Sequence, residues 1–166
     1  SEVRALLDRH GFSFSKALGQ NFLVNPSVAP RMAEGSGASG IGVLEIGPGI
    51  GPLTRELCLR AKKVVAIELD KRLPDILAET LAEFDNVKIV PGDAMELDLH
   101  ALLREEFGDM PVVVCANLPF YITSPMLMRL LESHLPVEAI TVLVQKEAAD
   151  RLCSDPGTRV CGAVSV

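Results

Sequence analysis

Nowhere in the 166 residues does an apolar run approach the ~18–20 residues that cross a bilayer, which excludes a transmembrane helix. The opening Ser1-Glu2-Val3-Arg4 carries no basic-then-apolar signal peptide and no initiating methionine, the pattern of a trimmed chain. A cytoplasmic location is expected. The four cysteines (Cys58, Cys115, Cys153, Cys161) make no C-x-x-C pair and have no histidine at ligand spacing. Neither a zinc site nor a disulfide framework is expected, so the sequence calls for no metal. Cys115 lies inside the apolar run 112–116 and reads as a packed thiol, and His10, His100 and His134 are scattered as surface or cap histidines are. Basic charge is scarce as well. Sixteen Lys and Arg against 22 Asp and Glu give a net charge of −6 and a pI near 5.1, without the footprint of a nucleic-acid binder. The distribution softens that exclusion: in residues 1–33, Arg4, Arg9, Lys16 and Arg31 outweigh Glu2 and Asp8 for a net +2, leaving −8 on the remainder. A polyanion would be met by that N-terminal stretch or by chain not present here.

What is present is core. Hydrophobic residues make up 48% and charged residues 23%, the composition of one folded domain and not of a disordered chain. Residues 2–10 read as a short helix ending at Gly11, 12–23 as an ordered loop, and Asn25-Pro26 as a helix start. A Gly/Ser-rich link over 35–42 follows. From Gly42 the chain alternates: apolar runs at 43–46, 64–67, 87–90, 112–116 and 139–144 are separated by helical patterns at 52–61, 71–84, 99–107, 124–133 and 146–153. Runs rich in β-branched residues without polar alternation indicate strands buried on both faces. The rhythm predicts an α/β fold, a mostly parallel sheet with helices on both faces and ligands beyond the carboxyl ends of the strands. An apolar element starting at 163–166 breaks off, which suggests a C-terminally truncated domain.

The chemistry sits at those strand ends. The first strand runs into Glu45-Ile46-Gly47-Pro48-Gly49-Ile50-Gly51, where bare backbone can approach a ligand. The glycines are spaced G-x-G-x-G with Pro52 following, unlike the dinucleotide fingerprint G-x-G-x-x-G. That spacing favours a nucleoside without a pyrophosphate over a nicotinamide cofactor. Glu68, 21 residues after Gly47, ends the second strand, where a carboxylate can accept both ribose hydroxyl hydrogens. Asp70 is the better helix N-cap of the pair, which leaves Glu68 to the ligand. Asp93, after the third strand, suits an adenine amino group, with a turn aspartate as the equal alternative. Asn117-Leu118-Pro119-Phe120-Tyr121 follows the fourth strand and is the most specific feature, given that aromatics are only 4% of the chain and tryptophan is absent. The Asn117 side-chain oxygen and the Leu118 carbonyl, turned outward by Pro119, can each accept one N–H of an exocyclic amine. Drawing both hydrogens away takes the nitrogen lone pair out of conjugation. Phe120 can stack on the ring, a contact worth ~1–3 kcal/mol.

Taken together, Leu18-Gly19-Gln20-Asn21-Phe22-Leu23, the glycine turn, Ile67-Glu68-Leu69-Asp70, Gly92-Asp93-Ala94, the 117–122 motif and Val144-Gln145-Lys146-Glu147 run in order almost end to end. In these stretches the chain resembles the KsgA-type small-subunit ribosomal RNA adenine dimethyltransferases, Rossmann-like class I enzymes that use S-adenosylmethionine. The resemblance implies a strap over 1–41 that covers the cofactor and a methyltransferase core over 42–166. It implies cofactor contacts at Asn21, Leu23, Gly47, Glu68, Asp93 and Asn117, and a methyl-transfer site at Asn117, Leu118, Pro119 and Phe120. The implied reaction is dimethylation at N6 of two adjacent adenosines in small-subunit ribosomal RNA, with the small-subunit precursor as partner. Two departures stand out: Phe120 where tyrosine is common, and Cys161 where the family has tyrosine before glycine. Further strands and a small helical domain that grips the ribosome are implied downstream, so this chain alone is expected to bind cofactor yet modify particles poorly. The alternatives are the large-subunit adenine methyltransferases of antibiotic resistance, which typically carry Asn-Ile-Pro-Tyr, and non-catalytic nucleic-acid-binding relatives.

Overall fold

The computed structural model describes residues 2–12, 26–118 and 123–144, with 146, 149, 150 and 153. Among the described residues, five strands, β1 (Gly42–Ile46), β2 (Lys63–Glu68), β3 (Val87–Pro91), β4 (Val112–Asn117) and β5 (Ala139–Leu143), form one sheet of order β3-β2-β1-β4-β5, parallel throughout. All five expected runs are strands, with ends shifted by one residue or so. β1, β2 and β4 are buried almost throughout, as expected of central parallel strands, whereas β3 and β5 at the edges are only partly covered.

Among the described residues, the helices that accompany the sheet are α1 (Glu2–Arg9), α2 (Val28–Gly35), α3 (Pro52–Cys58), α4 (Leu73–Thr80), α5 (Leu99–Phe107) and α6 (Thr123–Glu132). Side chains alternate across the strands and feed a core on each face. Leu44, Ile46, Val65, Ile67, Val114 and Ala116 pack with α5 and α6, whereas Val43, Val64, Val113 and Cys115 pack with α2 and α3. α1 docks on α4 through Leu6, Leu7 and Phe12 against Leu73, Ile76, Leu77 and Leu81. Its end explains why Phe12 turns back. Gly11 is left-handed at φ +60°, its N–H donates to the Asp8 carbonyl, and the Phe12 N–H donates to the Leu7 carbonyl at 2.9 Å. That pairing closes the helix and folds the next apolar residue onto it.

Two expectations are corrected. α4 starts at Leu73, with Arg72 at its N-cap and no side-chain cap bond. Asp70 does not cap the helix; its Oδ1 accepts from the Arg72 N–H at 3.0 Å and so closes a turn ahead of it. α3 and α4 also stop short of the expected 61 and 84. Most of the pattern over 146–153 and all of residues 13–25 within the expected strap lie outside the described residues. Among the described residues no helix is long and apolar enough to cross a membrane, and no three His, Cys, Asp or Glu gather as a metal site. Cys58 and Cys115 are free thiols, buried, each pushed up to about 12 chiefly by burial; Cys153 is exposed.

Candidate functional site

The register of the sheet assembles the site. Ile46 stands opposite Ile67 on one side and Ala116 on the other, so one step further Gly47 falls between Glu68 and Asn117. The Gly47 N–H keeps the ladder going by donating to the Ile67 carbonyl at 3.0 Å. Glu68 pairs in turn with Pro91, two residues before Asp93, and Asn117 with Leu143. Adjacent strands lie ~4.8 Å apart, so the Glu68 and Asn117 backbones are separated by about 10 Å with no side chain between them. Gly47 is left-handed at φ +74°, and a Cβ there would sit 3.4 Å from the Asn117 carbonyl oxygen. Absence of a side chain in this row is what opens a cradle at the sheet's carboxyl edge.

Around the cradle the polar groups are ordered. The turn after β1 is closed by the Gly51 N–H donating to the Pro48 carbonyl at 3.0 Å, and Pro52 opens α3, where no N–H is required. Glu68 is 6% exposed. Its Oε2 accepts from the Gly49 N–H at 3.1 Å and its Oε1 from the Asp70 N–H at 2.8 Å. Burial raises its pKa above the usual carboxylate value against the opposing pull of these N–H bonds. Glu68 therefore does not stand clear for a ligand, as the sequence suggested. It is braced by the glycine turn on one side and by its own turn on the other, and each oxygen retains a second acceptor direction.

Asp93 is a turn aspartate: Oδ1 accepts from the Met95 N–H at 2.8 Å, and its carbonyl accepts from the Glu96 and Leu97 N–H groups at 2.9 Å. Its Oδ2 is the oxygen such a turn can turn toward an amine. The loop is tied to α6 by Arg129, whose Nε and Nη2 donate to the Ala94 and Leu97 carbonyls at 2.9 and 2.6 Å. Asn117 is half-buried. Leu118 is buried in the core and its N–H donates to the Leu143 carbonyl at 3.3 Å, so its carbonyl is the polar group it can offer. Asn21, Leu23, Pro119 and Phe120 lie outside the described residues.

Glu45 was not given a role by its sequence position, although a carboxylate inside an apolar run is a visible signal. It is 0% exposed, and neither carboxyl oxygen has a hydrogen-bond partner. Thr54 faces it from α3 and favours its ionised form, but the hydroxyl is outside hydrogen-bond geometry and is itself unpartnered. Burial first, and the nearby Glu68 charge second, push Glu45 up to about 8.

A cradle without a side chain, a braced acidic acceptor at the second strand and an amide at the fourth suit a nucleoside bearing an exocyclic amine opposite it. Comparison with known proteins bears on the family. The sequence matches the Ribosomal RNA adenine dimethylase family over residues 11–166. It is 48% identical over 166 residues to a ribosomal RNA small subunit methyltransferase A from Geobacillus thermodenitrificans, with 99% of this chain and 57% of the relative covered. A protein of the same name from Bacillus licheniformis is 46% identical at the same coverage, and the chain thus spans 57% of the length of these curated relatives. Among solved structures, a Plasmodium falciparum dimethyladenosine transferase superposes with a TM-score of 0.70 at 28% identity, covering 88% of this chain and 51% of that one. The 23S rRNA methyltransferase ErmE does so with a TM-score of 0.69 at 33% identity, covering 82% and 53%. By fold, by the extent of the sequence match and by identity to these relatives, the chain belongs to the ribosomal RNA adenine dimethylase family.

Proposed function

We propose that this chain is the cofactor-binding and catalytic part of an enzyme that transfers methyl groups from S-adenosylmethionine to N6 of two adjacent adenosines in small-subunit ribosomal RNA. The observation that carries the reading is the row Glu68–Gly47–Asn117, an acceptor pair flanking a bare backbone position. When bound, the cofactor supplies an electrophilic methyl group on a sulfonium. Gly47 lets its methionine part lie on the backbone, Glu68 accepts from the ribose, and Asp93 accepts from its adenine amine. Asn117 and the Leu118 carbonyl accept the two N–H bonds of the target amine, and Phe120 stacks on the target base. That base must leave its stack to enter, at a cost of a few kcal/mol. Identity of 48% to small-subunit enzymes against 33% to a 23S enzyme supports the small subunit over the large. The decisive test supplies labelled cofactor with small-subunit and large-subunit particles in parallel to the full-length protein and maps the modified bases; label on a large-subunit adenine, or no transfer to the small subunit, would overturn the proposal.

Glu68→Ala should weaken cofactor binding by about tenfold to a hundredfold, since hydrogen bonds to a charged acceptor are worth ~1.5–3 kcal/mol. Calorimetry is the measurement. Unchanged affinity would remove Glu68 from the site, and tighter binding of NADH than of S-adenosylmethionine would overturn the cofactor class.

A further inference from the structure

Beside the ribose acceptor lies a contact chain that the proposed reaction does not use. Asp70 is only 5% exposed, and its carboxylate grips Arg72 with both oxygens: Oδ1 accepts from Nε at 2.9 Å and Oδ2 from Nη2 at 2.6 Å. The same Oδ1 accepts from the Arg72 N–H. Asp70 thereby closes the turn from which its own N–H reaches Glu68 Oε1 at 2.8 Å. On the far side, the Arg72 guanidinium lies over the Phe12 ring, 4.4 Å from its centroid, and Phe12 is buried against α4. The guanidinium is thus held between an aromatic face just past the N-terminal helix and a carboxylate next to the site.

We propose that Arg72 is a positioning residue for cofactor binding: its fork on Asp70 and its stacking against Phe12 lock the β2–α4 turn, so that the Asp70 N–H holds Glu68 in its ligand-accepting orientation. The proposal rests on the reading of Glu68 as the ribose acceptor. A planar fork is needed because one group must satisfy two carboxylate oxygens and stack at the same time, which a lysine ammonium cannot do. Arg72 is itself about half exposed and fills no core space, so its loss leaves the apolar packing of α4 in place. The acidic groups around Glu68 are Glu45 on β1, itself held up to about 8 chiefly by burial, and Asp70 on the turn, whose charge works against the ionised form of Glu68. Loosening the turn withdraws an N–H bond that favours that form.

The test measures S-adenosylmethionine affinity by calorimetry from pH 5 to 8 in the full-length protein and its Arg72→Ala, Arg72→Lys, Glu68→Ala and double Arg72→Ala/Glu68→Ala variants. Arg72→Ala should weaken binding about fivefold to twentyfold and move the acid limb of the pH profile upward. Arg72→Lys should restore little of the loss. In the Glu68→Ala background the Arg72 substitution should have no further effect, because it acts through Glu68. A general structural loss would instead weaken binding equally in both backgrounds without moving the acid limb, and that result would overturn the proposal. So would full affinity in Arg72→Ala while Glu68→Ala binds poorly. Full affinity in Glu68→Ala would instead defeat the ribose assignment, so the two failures are told apart.

Discussion

Asn117→Ala in the full-length enzyme is expected to lower methyl transfer by about 10²–10³-fold, the range seen when one positioned polar group is removed from a reacting centre. The amine of adenine is a poor nucleophile because its lone pair is delocalised into the ring. Two acceptors placed on its hydrogens favour the pyramidal nitrogen that develops as the new bond forms, and under the proposed function Asn117 provides one of them. Its main chain pairs with Leu143 of β5 and directly follows Ala116, which pairs with Ile46 of β1, so the amide is carried by a rigid element. The side chain is half-buried and small, and its truncation leaves the sheet register intact. The loss should therefore fall mainly on kcat, with a smaller change in cofactor affinity and little change in melting temperature. Phe120→Tyr should stay active, whereas Phe120→Ala should lose most turnover. Single-turnover methyl transfer distinguishes these cases, and a wild-type rate in Asn117→Ala would overturn the mechanism.

The parts of the site that could be read from sequence are those fixed by the strands. Buried parallel strands demand unbroken β-branched runs, so 64–67 and 112–116 announced β2 and β4, and their carboxyl ends announced Glu68 and Asn117. What decides how those residues behave lies in contacts between distant segments. The sequence does not say whether Asp70 caps α4 or grips Arg72 two residues on; in the fold it grips Arg72, whose guanidinium also lies over Phe12 from far away in the chain. Arg129 likewise looks like an ordinary helix arginine until α6 is packed beside the loop after β3. Glu45 was visible as an acid in an apolar run, but its isolation follows from α3 closing over it, with Thr54 facing it outside hydrogen-bond geometry.

Glu45 also makes the stability of the fold depend on pH, in a direction opposite to that of a salt-bridged acid. Its neighbours on the packed elements are the Thr54 hydroxyl, the Glu68 carboxyl and the Cys58 and Cys115 thiols, none of them a cation. Burial holds the folded-state value at about 8, against an ordinary 4.5. Below the ordinary value both the folded and the unfolded chain keep the proton, and the residue carries no penalty from ionisation. Between the two values only the unfolded chain releases it, so stability falls by about 1.4 kcal/mol per pH unit, on the order of 3 kcal/mol by neutral pH. Above the folded-state value both states are ionised and the loss levels off. Glu45→Gln removes the titration and keeps the shape. In urea denaturation from pH 5 to pH 7, the stability of the variant relative to the parent should rise by ~3 kcal/mol, whatever offset the amide brings at pH 5. Parallel stability curves across that interval would mean that the carboxyl is ionised and compensated in the folded protein, and the assignment of a neutral Glu45 beneath the glycine turn would fall.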